Sequence, residues 1–412
     1  MLTLRVVRGL VLMAQLWLAG PILYLSIVSI SAILTTKRRR RARTTPLASP
    51  DAAASSRFNF AIVIPAHNEE IMLDTLLDSL AALAYPKDRY TVYVVADNCT
   101  DRTAELARAR GWVRVYERRD KAKRGKGHAL GWLLRKLEEN GASHDAYVIV
   151  DADSIVEPSF LRAMARELAA GAQALQGRYT VRNLSESPGT ALRWMALVLI
   201  CHVRSLGRNG LGCSSTLDGN GMCFSRSLLM RYPWQAYSLA EDYEYYLTLV
   251  QSGERVGYVP DAVVYAHMPT TFAEMRTQDV RWESFHFAQA VWQIALRLVS
   301  TGVRRRDVAR IEAAVELLTP PLSILACGTV LTLAVSALVR SLLAVLLGLL
   351  LIGGLIFYVG TGLYLLRAPR GVYKAFLFAP RFIVWKVWVY LVLSRNKKHT
   401  SEWVRTSRPI SQ

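Results

Sequence analysis

The chain has 412 residues, enough for two or three domains, and 52% of them are hydrophobic. A mean hydropathy of +0.20 beside a net charge of +19 argues against an ordinary soluble protein. It fits apolar membrane spans with Lys and Arg crowded at their flanks. The pI of ≈ 9.9 would also suit a nucleic-acid binder. However, the chain has no zinc-finger spacing, homeodomain-like helix or RNP-like aromatic motif, and its basic runs adjoin apolar segments. The expectation is therefore a lipid bilayer and no nucleic acid.

From Gly9 to Leu34 the sequence carries no charge, and about 26 residues suffice to cross about 30 Å of hydrocarbon. Residues 1–35 are read as an N-terminal transmembrane helix. The block Lys37-Arg38-Arg39-Arg40-Arg41-Ala42-Arg43 opens a basic linker over 36–56. The positive-inside rule keeps that block cytoplasmic and the N-terminus outside. The five cysteines, Cys99, Cys201, Cys213, Cys223 and Cys327, form no CxxC pair, as expected of reduced thiols rather than a zinc site or disulfide framework. The formal sequons at Asn98 and Asn183 are discounted because this topology keeps them out of a secretory lumen.

Residues 57–300 read as an α/β domain with interfacial helices. Phe60 to Pro65 is a short apolar run of the kind a buried parallel strand needs. A helix opens at Asn68-Glu69-Glu70, with Met72, Leu73, Leu76, Leu77 and Leu80 on one face. Tyr90 to Val95 is a second strand ending at Ala96-Asp97-Asn98, Asp101 can cap the next helix, and Ala146 to Val150 is a third strand. This rhythm implies βαβ units and a parallel sheet, with ligands outside the carboxyl ends of the strands. Pro65, Asp97 and Asp151 all sit at such ends.

Residues 301–412 read as a C-terminal membrane region. Leu317 to Val339 and Leu342 to Leu366 are both long enough to span. Phe376 to Leu393 carries Arg381 and Lys386 among its aromatics, which suits an interfacial or re-entrant segment better than a crossing. Parity then keeps the basic tail from Arg395 cytoplasmic.

The chemistry centres on Asp151-Ala152-Asp153. Two carboxylates at the end of a buried strand offer hard oxygen ligands to Mg²⁺ or Mn²⁺ and a partner to a ribose or water. A D-x-D by itself is more often a solvated turn, and the strand before it is what gives this one weight. Asp97 reads either as part of a turn or as acceptor for a nucleobase N–H. Pro65, His67, Asn68 and Glu69 admit the same two readings. Lys123-Arg124-Gly125-Lys126-Gly127 is either a surface basic loop or a loop whose glycines admit a diphosphate to Lys126. It lacks the Walker A spacing. Glu241-Asp242 opens an aromatic helix as capping acids or as the seat of a general base. In Gln278-x-x-Arg281-Trp282, Arg and Trp either grip a phosphate and stack on a sugar or decorate a helix near the membrane.

Taken in order, Asp97, Asp151-Ala152-Asp153, Glu241-Asp242 and Gln278-x-x-Arg281-Trp282 resemble the signature of the membrane-bound family 2 glycosyltransferases. These include the cellulose, hyaluronan, chitin-oligosaccharide and poly-N-acetylglucosamine synthases and ceramide glucosyltransferase. The resemblance implies a GT-A (Rossmann-like) cytoplasmic domain plus α-helical transmembrane segments. It implies an inverting hexosyl transfer from a nucleotide diphosphate-sugar, a UDP-sugar foremost, to a glycan or lipid acceptor. Pro65, His67, Asn68, Glu69, Asp97 and Asp151 would bind the nucleotide, Lys126 the diphosphate, and Asp153 with Asp151 a Mg²⁺ or Mn²⁺. Asp242, beside Glu241, would be the base. Gly219, Asn220, Gly221, Gln278, Arg281 and Trp282 would meet the acceptor and diphosphate. Ala240 stands where the family often has Thr, and Asp279-Val280 follows Gln278 in place of the commoner Gln-Arg or Gln-Gly opening. The membrane part is also smaller than in the pore-forming synthases. The expected product is a β-linked exopolysaccharide, made by a multi-pass protein of the bacterial inner (plasma) membrane with its catalytic domain in the cytoplasm. The alternative is single transfer to a ceramide- or polyprenyl-type lipid, and a third reading is a receptor built on an inactive GT-A fold. A homo-oligomer or accessory export subunits remain open as partners.

Overall fold

A computed structural model describes residues 2–44, 57–270 and 290–395. The chain divides into two compact units. The α/β unit comprises Arg41–Glu186 and Ser214–Phe285, together with Lys398–Gln412. The helical unit comprises Met1–Arg40, Ser187–Cys213 and His286–Lys397. The continuous catalytic domain expected over 57–300 is thus interrupted, because 187–213 leaves the α/β unit and returns to it.

The α/β unit is built on one eight-stranded sheet. Its strands are β1 (Phe60–Ala66), β2 (Tyr90–Asp97), β3 (Val113–Arg118), β4 (Ala146–Ile149), β5 (Ser154–Val156), β6 (Ala174–Val181), β7 (Met222–Ser225) and β8 (Val256–Ala266). Their order is β3-β2-β1-β4-β7-β6-β8-β5. The first half is parallel, as its apolar runs dictate: every residue of β1 but Pro65 is buried. The wholly parallel expectation fails beyond β4. There β7 runs antiparallel to both β4 and β6, while β6 and β8 are again parallel. The sheet is therefore mixed, in an arrangement that alternation in the sequence does not encode.

Because side chains alternate across a sheet, its two faces have separate cores. One face packs Ile62, Val92, Val148, Leu175 and Val264 with Leu73, Leu76 and Leu80 of the Leu73–Ala81 helix and Phe160 and Met164 of the Phe160–Ala169 helix. The other carries Met222 and Phe224 with Tyr245, whose ring meets Phe224 edge-on at 5.3 Å. Tyr245 belongs to the Glu241–Ser252 helix, and that helix packs with the Lys126–Glu139 helix.

In the helical unit one helix runs from Leu2 to Thr44, straight through the basic block expected to begin a linker. Leu4–Arg41 and Leu342–Leu365 are long and apolar enough to cross a membrane. The expected span Leu317–Val339 is instead a bent pair, Val308–Leu318 and Leu322–Leu338, meeting at 66°. Pro320 and Pro321 supply no N–H and push Thr319 into extended geometry. Ala379–Arg395, expected to be interfacial or re-entrant, is a 17-residue helix. Buried charges tie these helices together. Arg208 Nε donates to Glu312 at 2.6 Å, Arg204 Nη1 donates to Glu316 at 3.0 Å, and Tyr24 donates to both glutamates. All five cysteines are free thiols.

Candidate active site

The carboxyl ends of β1, β2 and β4 deliver the first residues of the site to one edge of the sheet. Past β1 the backbone turns at Asn68, whose φ of +56° is left-handed, a region that Asn tolerates better than most residues. The Asn68 side-chain oxygen accepts the amide of Thr100 at 2.8 Å. The Glu69 amide donates to Thr103 Oγ1 at 2.8 Å, and His67 Nδ1 lies 2.6 Å from the carbonyl oxygen of Asp97. His67, Asn68 and Glu69 are thereby clipped to the end of β2 and the residues that follow it, while Pro65 lies opposite Val95 within the sheet. Asp97, at the end of β2, is buried and ion-paired. Arg118, its register partner on β3, donates to Asp97 Oδ1 at 2.6 Å and also reaches Asp120 and the Lys123 carbonyl. A carboxylate and a guanidinium sealed together offer acceptor and donor edges side by side.

The second group gathers around Lys126, at the start of its helix. Its ammonium lies 2.6 Å from Asp151 Oδ1, 2.6 Å from the Gly219 carbonyl oxygen and 3.5 Å from Glu241 Oε1. Burial opposes the positive charge, but Asp151 and then Glu241 outweigh it and hold Lys126 well above the usual lysine range. Burial pushes the Glu241 carboxyl up to about 7 and that of Asp242 up to about 6, with Lys126 opposing both shifts. Carboxyls raised this far are poised for proton transfer near neutrality. Gly219, at φ +77°, needs to be glycine: a Cβ there would meet Asp242 Oδ2 at 2.8 Å. A Cβ at Gly127 would run into the carbonyl of Ala236, so the loop before Glu241 closes directly on this helix.

Asn220 sits beneath these groups rather than among them. Its side chain is fully buried, accepting from the Asp151 amide at 3.2 Å and donating to Ser154 Oγ at 2.7 Å. Gly221, next in the chain, is also left-handed at φ +70°, and its carbonyl accepts the Gly177 amide. Gln176 fastens the same loop from below, accepting from the Asp218 amide at 2.9 Å and donating to the Asn220 carbonyl at 2.8 Å. The two carboxylates Asp151 and Asp153 form a wholly hard-oxygen donor set, and an ammonium already nests among three oxygens beside them. Among the described residues no cluster of three or more His, Cys, Asp or Glu side chains forms a metal cage. Mg²⁺ or Mn²⁺ needs only one or two carboxylates when substrate phosphates complete its shell, so the residues fit such an ion. Gln278, Arg281 and Trp282 lie outside the described residues.

This geometry meets an independent comparison of sequence. Residues 57–284 match the family described as Glycosyltransferase like family 2, a stretch that takes in both groups of the site and more than half of the chain. The chain belongs to glycosyltransferase-like family 2. Its curated relatives include a probable glycosyltransferase, YdaM, of Bacillus subtilis (28% identical, over 54% of each chain). A beta-monoglucosyldiacylglycerol synthase of Synechocystis is 27% identical over 58% of this chain and 50% of its own. A poly-beta-1,6-N-acetyl-D-glucosamine synthase of Staphylococcus aureus is 25% identical over 60% and 58%. The chain thus spans about half the length of the curated relatives it matches. Among solved structures, the mannosyltransferase PcManGT of Pyrobaculum calidifontis, in complex with GDP-Man and Mn²⁺, aligns with a TM-score of 0.53 at 18% identity. It covers 92% of this chain and 99% of its own, a likeness of fold. The α/β unit is of the GT-A type.

Several residues of this candidate site escape a reading of motifs. Gln176 leaves one trace, an amide in the apolar run Ala174-Leu175, since a buried amide must find partners. Arg118 leaves less: only the strand register sets it beside Asp97.

Proposed function

We propose that this chain is an inverting glycosyltransferase that moves a sugar from a nucleoside diphosphate-sugar to a hydroxyl of a membrane-associated acceptor. The observation that carries the reading is one constellation: Lys126 holds Asp151 and Glu241 together, while Asp242, its carboxyl near 6, abuts Gly219. Asp242 takes the acceptor hydroxyl proton, the freed oxygen attacks the anomeric carbon, and the bond to the nucleoside diphosphate breaks on the opposite face. A single displacement inverts the centre and gives a β-linkage from an α-linked donor. Lys126 stands ready to meet the phosphates, and Asp97 with Arg118 to face the nucleobase. Asp151 and Asp153 would hold Mg²⁺ or Mn²⁺, whose charge offsets that of the diphosphate.

The product is read first as a β-linked glycan, in line with the poly-N-acetylglucosamine synthase relative. A glycolipid is the second reading, favoured by a relative named beta-monoglucosyldiacylglycerol synthase and by two clear spans among the described residues, or three with the bent pair. The basic block after the first span supports a catalytic unit on the cytoplasmic side of a bacterial inner membrane. The test is donor turnover by the purified full chain with UDP- and GDP-sugars, with and without EDTA, followed by sizing of the product. Turnover lost in EDTA and restored by Mn²⁺ or Mg²⁺ is expected, and full activity in chelator overturns the metal assignment. A ladder of products supports the glycan, and a single glycolipid supports the second reading.

A further inference from the structure

Arg178 is the residue of the α/β unit that the reaction above leaves unexplained. It lies on β6, two residues past Gln176, and is half-buried. Its Nε is sealed from solvent and has no hydrogen-bond partner, and among the described residues no carboxylate pairs with it. Other partly buried arginines of the unit are matched: Arg118 with Asp97, Arg110 with Asp74 and Asp78, Arg166 with Asp261. A desolvated guanidinium edge left open is costly unless an anion arrives to complete it.

Its position says which anion. Leu175 and Val264 face the core formed with the Leu73–Ala81 and Phe160–Ala169 helices, so Gln176 and Arg178 face the opposite side by alternation. That is the side of Tyr245, on the helix that Glu241 and Asp242 open. Gln176 already holds the Asp218–Asn220 loop from below, and β7 stops pairing with β6 at Gln176. Arg178 therefore stands one pleat, ~7 Å, beyond the end of that pairing, at the carboxyl edge where Asp97 and Asp151 also end their strands. The diphosphate has Lys126 and the nucleobase has Asp97 with Arg118, leaving Arg178 on the acceptor side.

We infer that Arg178 binds an anionic group, a phosphate or carboxylate, borne by the acceptor close to its attacking hydroxyl. This deepens the transferase reading and rests on it. The guanidinium fork pairs with the two oxygens of the anion and orients the neighbouring hydroxyl towards Asp242. The hydroxyl proton still passes to Asp242 and the nucleoside diphosphate still leaves, so the anion takes no part in bond making.

The test compares acceptor twins with the full chain in detergent. p-Nitrophenyl β-glucuronide against the β-glucoside probes a carboxylate borne by a sugar. Vesicles of phosphatidylglycerol against diacylglycerol probe a phosphate borne by a lipid. At least one anionic twin should show the lower KM. Arg178→Met should raise that KM about 10- to 100-fold, the loss expected for a charge-assisted pair, while nucleotide affinity by titration calorimetry stays put. Arg178→Lys should recover part of the loss, and Arg182→Met, at an exposed arginine just past the end of β6, should change nothing. Donor cleavage with no preference for either anionic twin overturns the inference and leaves the transferase standing, as does a fall in nucleotide affinity in both Arg178 variants. Absence of any donor cleavage overturns both.

Discussion

Replacing Lys126 with Met tests whether the site is held together by charge. The variant loses two charge-assisted hydrogen bonds, to Asp151 and to the Gly219 carbonyl, each at 2.6 Å. Such bonds contribute about 1.5–3 kcal/mol apiece. The two side chains are 21% and 32% exposed, so solvent screening points to the lower end, about 3 kcal/mol in all. For a unit of this size that is a fall in Tm of roughly 6–12 °C. The loss should also depend on pH. Without the ammonium, Asp151, Glu241 and Asp242 face one another uncompensated, and the carboxyls at about 7 and about 6 must rise further. A carboxyl raised in the folded state disfavours folding above its pKa and is relieved as pH falls through it. The deficit in Tm should therefore be largest at pH 8 and shrink towards pH 5.5, measured by circular dichroism on the full chain in detergent. Equal deficits at both pH values would show that Lys126 acts by packing rather than as counterion, and would refute the electrostatic account.

Asp242→Asn should keep nucleotide affinity while turnover falls about 10²–10⁴-fold, the usual contribution of a general base; a joint loss of both would make Asp242 a structural residue. In the parent enzyme, kcat/KM should decline as pH drops below about 6, where Asp242 gains its proton, and a profile flat down to pH 5 excludes it as base. Gln176→Leu strips partners from the Asp218 amide and the Asn220 carbonyl and should cost about 2–4 kcal/mol in denaturant unfolding; a shift near zero would show that the loop is held otherwise. For topology, Thr3→Cys should react with an impermeant thiol reagent from outside intact cells and Ser411→Cys should not. Labelling of the latter would make the last helix a crossing.

Much of this protein is written along the chain. The apolar runs of β1, β2 and β4, the acidic residues that end β2 and follow β4, and the uncharged stretch after Gly9 are local patterns, and local patterns fix strands, strand ends and spans. The order of motifs sufficed for the family. What the sequence left undecided depends on residues far apart. The reversal of β7 turns on pairings with β4 and β6 across dozens of residues, and hydrophobic periodicity carries no sign of direction. The bend at Pro320 and Pro321 was visible as two prolines, yet whether they end or merely kink a span depends on what packs around them. The excursion of 187–213 into the helical unit follows from buried partners, Arg204 with Glu316 and Arg208 with Glu312, that no spacing reveals. In the site, sequence named Asp97, Lys126, Asp151, Glu241 and Asp242 one by one. Only the fold set Arg118 against Asp97, nested Lys126 among three oxygens, and turned the Asn220 side chain down to hold the Asp151 amide. Ion pairing, desolvation and hydrogen bonding act over a few ångströms in space, and only the folded chain brings those residues within reach.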